Sequence, residues 1–335
     1  MKRQPHPFAR FINILGRGKT LTRSLTIEEA EEAMAMILDG ETLPEQLGAF
    51  LMLLRVKEES SAEIAGFVRA ARATMRPPAN TPRVDVDWSS YAGKGRQLPW
   101  FILSALILAR NGWRVFMHGA EAHTEGRVYT GAALRALDIP VAASLDEAAD
   151  ALAARNFAYL PIEALSPKIA EMLELRPILG LRSPVHTFAR MLNPFGAPCM
   201  LQGVFHPGYM AIHRGAGVLL GQPRLAVFRG EGGEIERRPS KPTDVMMAID
   251  GRSEDERWPP IMTEPRQAPD ESMDLARLGA LWRGGIDDAY GEAAVVGTLA
   301  IALRALGEAA DVADAEGRAR ALWSARDRNR LAAAA

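Results

Sequence analysis

The sequence predicts an α/β protein: a small N-terminal helical domain, then a larger domain with a mainly parallel central sheet flanked by helices. Three observations lead there. Residues 21–76 carry apolar residues at helical spacing behind repeated capping signals. From Val84 onward, short apolar runs alternate with helical segments, as in βαβ units. Between the two regions stands Pro77-Pro78, which stops a helix and marks a hinge or linker.

In the first region Thr26 and Glu29 form a capping box, with Ala30, Ala33, Met34, Ile37 and Leu38 as the apolar stripe behind it. Gly40 ends that helix. Pro44 sits in the first turn of a second helix carrying Leu47, Phe50, Leu51 and Leu54. Ser60 with Glu63 caps a third, with Ile64, Phe67, Val68 and Ala71 inside. Upstream, Lys2, Arg3, Arg10, Arg17 and Lys19 make residues 1–20 basic; the segment reads as an arm or as a first helix. Polar residues interrupt its apolar stretch, so it does not read as a signal peptide.

In the second region strands are expected at 84–88, 113–117, 157–160, 200–205 and 224–228. Helices are expected at 99–110, 132–137 and 208–220, with others started by Ser144 and by Ser166-Pro167. Ligands of such sheets bind at the carboxyl ends of strands, which gathers the loops after Trp88, Met117 and Phe228 around one crevice. Residues 251–270 are polar and proline-rich and read as a long surface loop. Two or three helices close the chain between about 272 and 328, and the alanines at 332–335 read as frayed. The domain boundaries are thus 1–20, 21–78 and 79–335.

The 335 residues suffice for a sizeable core, and 48% hydrophobic with 24% charged residues is ordinary for a globular chain. The net charge of −1 excludes a polycation, so any nucleic-acid contact must come from a local basic surface. One cysteine, Cys199, excludes internal disulfides and cysteine-based zinc sites and fits a reducing cytoplasm. The longest apolar helix expected, from Pro99 to about Ala109, is too short to span a bilayer, so no membrane partner is expected.

The stretch SSYAGKGRQLPW (89–100) places Gly93 and Gly95 between a strand and a helix, where backbone amides cradle phosphates. Lys94 and Arg96 stand among them, in the expected crevice. His118-Gly119 follows the next strand, as part of the crevice or as a tight strand exit, and Thr124, Arg127 and Thr130 stand in reach of a phosphate. Further cations are Arg182, Arg214, Arg224, Arg229, Arg237, Arg238 and Lys241; lined along a groove they would neutralise a nucleic-acid backbone. Glu231, Glu234 and Glu236 interleave with the later ones, which equally describes a solvated face. Tyr91, Trp100 and Tyr129 are candidates to stack on bases. His123, His186, His206 and His213 lack ligand company and read as structural or surface residues, Cys199 as a buried small apolar residue.

Several segments in order, from about Leu21 to Gly251, resemble the anthranilate phosphoribosyltransferase family: LTIEEAEEAMAMILDG, MHGAEAHTEGRVYTG, LGLRSPVHTFARMLNPFGAP and FHPGYMAIHRGAGVLLGQ. The resemblance implies a helical domain, completed by helices from about 165–195, hinged to an α/β domain, and a homodimer formed through the helical domain. It also exposes departures. The family's Gly-Thr-Gly-Gly-Asp loop reads Tyr91-Ala92-Gly93-Lys94-Gly95-Arg96, and its Lys-His-Gly reads Met117-His118-Gly119. Arg182 matches the arginine that binds the aromatic acid, and Asn193-Pro194 keeps the end of that segment. Of the Asp-Glu pair that binds magnesium, only Glu236 has a counterpart, and Arg229 replaces the preceding histidine.

These departures resemble a divergent, YbiB-like branch whose members bind nucleic acid without sequence preference. The first function implied is therefore unspecific binding of single-stranded DNA or RNA by a catalytically divergent scaffold, through Gly93, Lys94, Gly95, Arg96, His118, Gly119, Thr124, Arg127, Arg182, Arg229, Arg237 and Arg238. The second is a Mg²⁺-dependent phosphoribosyltransferase taking phosphoribosyl diphosphate and an unidentified acceptor, anthranilate least of all. Gly93, Lys94, Gly95 and Thr124 would then hold the diphosphate and Glu236 the metal.

Overall fold

The computed structural model describes residues 4–18, 20–122, 124–263, 269–270 and 272–331. The chain opens with four helices: α1 (Ala9–Gly16), α2 (Ile27–Leu38), α3 (Pro44–Lys57) and α4 (Ser61–Thr74). Then follow β1 (Val86–Ser90), α5 (Phe101–Arg110), β2 (Val115–Gly119), α6 (Thr130–Ala136), α7 (Leu145–Arg155) and β3 (Phe157–Pro161). Four short helices come next: α8 (Ile162–Leu165), α9 (Pro167–Leu173), α10 (Arg176–Leu179) and α11 (Val185–Phe188). The sheet resumes with β4 (Cys199–Val204), α12 (Tyr209–Leu219), β5 (Arg224–Arg229), β6 (Thr243–Ile249) and β7 (Arg252–Trp258). Helices α13 (Ala276–Arg283), α14 (Ala289–Leu306) and α15 (Val312–Ser324) close the chain.

The bundle follows its capping chemistry. Both boxes form: Glu29 N donates to Thr26 Oγ1 at 3.2 Å, and Ser60 N donates to Glu63 Oε2 at 2.7 Å. Glu63 does more than cap. Its buried carboxylate also accepts from Leu25 N and Lys57 Nζ, each at 2.9 Å, tying α4 to the turn before α2. Residues 8–16 are not an arm: Phe8, which precedes α1, and Phe11 and Leu15 within it are buried in the bundle core, with Phe8 edge-on to Phe50. The apolar i, i+3, i+7 spacing outweighs the basic residues around it. Of those, Lys2, Arg3 and Lys19 lie outside the described residues, as do the alanines at 332–335.

The seven-stranded sheet runs β3-β2-β1-β4-β5-β6-β7, parallel through β5 and antiparallel at its last two strands. Alternate strand residues enter opposite cores. Phe116, Met200 and Val227 join the core shared with the bundle, α9 and α11, whereas Val115, Met117, Cys199 and Phe228 face α5, α14 and α15. Because β1 pairs with both β2 and β4, the chain changes direction there, and the crevice opens at the carboxyl ends of these strands.

Two expectations are corrected. Residues 251–270 are not one long loop: 252–258 form β7, paired along its length with β6, an unexpected strand. The turn between them is Asp250-Gly251, with φ of 48° and 78°, the left-handed pair of a tight hairpin. Arg252, Glu254, Asp255 and Arg257 keep this edge charged, which discourages pairing with another chain. The longest apolar helix is α14, not α5. At 18 residues it is long and apolar enough to cross a membrane, yet 78% of it is buried inside the protein.

Candidate functional site

Strand β1 ends at Ser90, and the glycine-bearing loop begins with its amides turned toward the β5–β6 connection. That connection returns two carboxylates. Glu234 Oε1 accepts from Ala92 N at 2.6 Å and Gly93 N at 2.5 Å, and its Oε2 accepts from Ser90 Oγ at 2.9 Å. Ser90 Oγ also lies 2.7 Å from Thr130 Oγ1, so Thr130 is engaged internally. Glu234 is 2% exposed. The amides that were expected to meet a ligand phosphate therefore meet a carboxylate of the same chain. Gly93 takes φ +66°, and a Cβ there would press on the Tyr129 ring at 3.0 Å. A Cβ on Gly230 would overlap the Glu234 carbonyl, so only glycine lets the connection lie this close.

Lys94 is corrected from a crevice cation to a buried one. It is 1% exposed, and its Nζ donates to Glu236 Oε1 at 2.5 Å. Glu236 Oε2 accepts from Phe101 N at 3.0 Å, at the start of α5. Burial pushes the Glu236 carboxyl up and Lys94 pulls it back. Glu236 thus neutralises an internal lysine and does not face an open metal position.

Other expected contacts turn inward as well. His118 is fully buried; Nδ1 lies 2.8 Å from Tyr91 Oη and Nε2 lies 3.3 Å from Asp87 Oδ1. Gly119 is the tight strand exit, because a Cβ there would overlap the Ser90 carbonyl. Tyr91, Trp100 and Tyr129 are 1%, 1% and 6% exposed, so they offer no stacking platform. Arg237 is fully buried, donates to Glu316 Oε1 at 2.9 Å and to the Pro259 carbonyl, and lies 4.9 Å from the Trp258 ring centre. Arg214 pairs with Asp255, and Arg224 donates to Ala305 O at 2.5 Å.

A different set of cations stays open. Arg182 carries no ion pair among the described residues, and burial together with Arg176, Arg190 and Arg127 lowers its guanidinium to about 10. Arg176 Nη1 donates to Thr124 Oγ1 at 3.0 Å, and Arg127 Nη1 donates to Ala92 O at 2.7 Å and Gly93 O at 3.2 Å. Arg190 is buried, donates to the His186 carbonyl and sits 5.8 Å from the Tyr91 ring centre. Arg127, Arg176 and Arg190 thus all act on Arg182, and no ion pair closes on any of the four among the described residues, a charge state that an anion would relieve. Gly95 and Arg96 are exposed beside the loop. Arg229 is exposed, and Arg238 half-buried, on the other side of the β5–β6 connection.

Sequence reasoning missed Glu234, Arg176 and Arg190. Glu234 had a legible signal, a carboxylate directly after two glycines, Gly232 and Gly233, that both take positive φ. Arg176 and Arg190 had none, since only the packing of α10 and of the turn after α11 brings them to Arg182. His123 lies outside the described residues. Of the other lone histidines, His213 is buried and its imidazole is lowered to about 3, first by burial and then by Arg190.

Residues 9–75 match the family model described as the helical bundle domain of the glycosyl transferase family. The anthranilate phosphoribosyltransferase of Oleidesulfovibrio alaskensis is 31% identical over 231 residues, which cover 68% of this chain and 69% of that one. This chain belongs to the anthranilate phosphoribosyltransferase family. Protein YbiB of Escherichia coli K12 is 30% identical over 208 residues, covering 61% of this chain and 64% of YbiB. The match to the Brevibacillus brevis enzyme, 36% identical, covers 56% of this chain and 54% of that one. The family fold holds through nearly the whole chain: the anthranilate phosphoribosyltransferase structure from Thermus thermophilus superposes with a TM-score of 0.79 at 24% identity, covering 98% and 97% of the two chains.

A family member from Saccharomyces cerevisiae is known in complex with phosphoribosyl diphosphate and magnesium. The residues here do not fit magnesium at the matching place. Ile235 stands before Glu236, and the Glu236 carboxylate is already shared by an ammonium and an amide. Among the described residues no three His, Cys, Asp or Glu side chains gather to hold a metal. Octahedral magnesium coordination needs carboxylate oxygens not already bound to cations.

Proposed function

We propose that this chain is a catalytically divergent member of the family that binds nucleic acid, single-stranded DNA or RNA, without sequence preference. The observation that carries this reading is the unpaired arginine group of Arg127, Arg176, Arg182 and Arg190. Guanidinium groups match phosphate oxygens in pairs, and their mutual repulsion falls when a polyanion enters. The filled cradle supports the catalytic part of the reading. A diphosphate would have to displace Glu234 from three donors, and a magnesium ion would have to displace Lys94 from Glu236.

The test is a titration of a labelled single-stranded oligonucleotide by fluorescence anisotropy at several salt concentrations. Binding should weaken linearly on log–log axes, with a slope of about −0.7 per phosphate contacted. Two oligonucleotides of unrelated sequence should bind alike. Absence of binding at low salt removes this reading.

Family membership favours a second reading, a phosphoribosyltransferase for an unidentified acceptor. It requires phosphoribosyl diphosphate to bind with Mg²⁺, which calorimetry at millimolar ligand decides. We also propose a homodimer through the helical region, supported by the outward-facing Leu43, Ile178 and Leu181 at 51%, 79% and 51% exposure. Sedimentation velocity at micromolar protein tests it, and a purely monomeric profile removes it.

A further inference from the structure

We propose that the cavity between the start of α12 and the β5–β6 connection is a second anion site, which takes one phosphate group. It encloses about 300 Å³ and is lined by the cations Arg229, Arg238 and Lys241, by Thr243 and by one carboxylate, Asp244, beside Pro207, Met210 and Pro242. It shares no residue with the Arg127–Arg176–Arg182 group. It does not rest on the nucleic-acid reading.

Four observations converge on it. First, the side chains of Arg229, Arg238 and Lys241 make no ion pair among the described residues, so three cations face one space uncompensated. The nearby carboxylates do not answer them. Asp244 accepts from Arg257 at 2.8 Å, and Glu231 acts on Arg238 without closing an ion pair. Second, the Arg238 Nε is buried and has no hydrogen-bond partner. Burial and the neighbouring Arg229 both hold its guanidinium below the usual range, as expected for a cation awaiting an anion. Third, Thr243 is 2% exposed, and its Oγ1 is also buried without a partner. An orphaned donor in a protein interior costs free energy unless a ligand or water meets it. Fourth, the 11-residue helix α12 begins here without a side-chain cap, and its positive dipole end adds to the field.

A tetrahedral phosphate satisfies this set. Arg229, Arg238 and Lys241 balance its charge, and its oxygens meet the orphaned Arg238 Nε and Thr243 Oγ1, both closed to solvent, once those side chains turn toward the cavity. A carboxylate would satisfy fewer of these donors, since it presents two oxygens in one plane. The phosphate belongs either to a nucleic-acid backbone or to a small phosphorylated molecule, and the chemistry at the site is the same.

The experiment uses the full chain with two probes, inorganic phosphate by calorimetry and a labelled single-stranded oligonucleotide by anisotropy. Arg238→Met is expected to weaken phosphate binding by about tenfold or more, the loss of one charge-assisted hydrogen bond. Arg318→Gln, an exposed cation on α15 paired with Asp314, should leave phosphate binding unchanged. Thr243→Val and Lys241→Gln repeat the test should Arg238→Met fail to fold, as judged by its thermal midpoint. If oligonucleotide affinity falls together with phosphate affinity, the source is a nucleic-acid backbone. If only phosphate binding falls, the source is a small phosphorylated molecule. A wild-type chain that ignores millimolar phosphate, or variants that bind it as the wild type does, overturns the proposal. Phosphate binding that depends on Arg238 beside an oligonucleotide that never binds refutes only the nucleic-acid reading.

Discussion

The loop after β1 and the mouth around Arg182 are chemically alike and end in opposite states. Both present nitrogen donors suited to phosphate. At the loop, the amides of Ala92 and Gly93 and the ammonium of Lys94 are met by Glu234 and Glu236, all of them buried. Around Arg182, three other arginines act on its guanidinium, and among the described residues it forms no ion pair. A donor set becomes architecture when the chain supplies its own anion, and keeps its charge uncompensated when it does not. The two carboxylates come from one short connection, so the change from ligand cradle to structural core is local.

The largest effect should come from breaking the closed region. Glu236→Ala leaves the Lys94 ammonium buried without its partner, which costs about 3–5 kcal/mol. Urea denaturation measures this. The double variant Lys94→Met with Glu236→Leu should regain most of the loss, because an apolar pair of similar volume needs no desolvated charge. A double variant as weak as the single one would show that the pair does more than neutralise itself.

Next in size is Glu234→Ala, which takes the acceptor from the Ala92 and Gly93 amides while Ser90 Oγ keeps Thr130; water entering the vacated space holds the loss to about 1–3 kcal/mol. This variant also turns the closed region into something like the open one. Millimolar diphosphate should raise its thermal midpoint while leaving the wild-type midpoint unmoved. Equal response of both proteins would mean that Glu234 does not exclude anions from the loop.

His213, on the open side, gives the third. Its folded value of about 3 lies below the unfolded value near 6.5, so the unfolded state takes up the proton first. The stability it contributes is complete above pH 6.5 and is lost as pH falls toward 3, by up to about 1.4 kcal/mol per pH unit. His213→Asn should flatten that dependence in urea melts between pH 7 and pH 5.

The smallest stability effect is expected at the open mouth itself. Arg182→Ala should leave the urea midpoint within about 0.5 kcal/mol of wild type, since it removes repulsion and no bonded partner. On oligonucleotide binding it should weaken all sequences alike and reduce the magnitude of the salt slope by about 0.7. A large loss of stability with unchanged binding would exchange the roles assigned to the two regions.

Sequence and structure divide along a physical line. Local chemistry was legible: the Thr26–Glu29 and Ser60–Glu63 boxes, the proline in the first turn of α3, and the alternation of strands and helices all appear where the residues place them. The Asp250-Gly251 turn was equally legible as a hairpin signal, but the charged edge strand after it hid the pairing, since β7 shows almost no apolar alternation. The order of segments carried the family, because each segment keeps its own pattern. What the sequence could not determine was which charges meet. Lys94 and Glu236 stand 142 positions apart, as do Ala92 and Glu234, and only the parallel sheet brings the ends of β1 and β5 to one rim. A cation's position is fixed by the chain alone, whereas the compensation of its charge depends on every element that folds beside it. The sequence by itself therefore determined the scaffold and where cations occur; the tertiary structure decided which cations meet a carboxylate inside the protein and which do not.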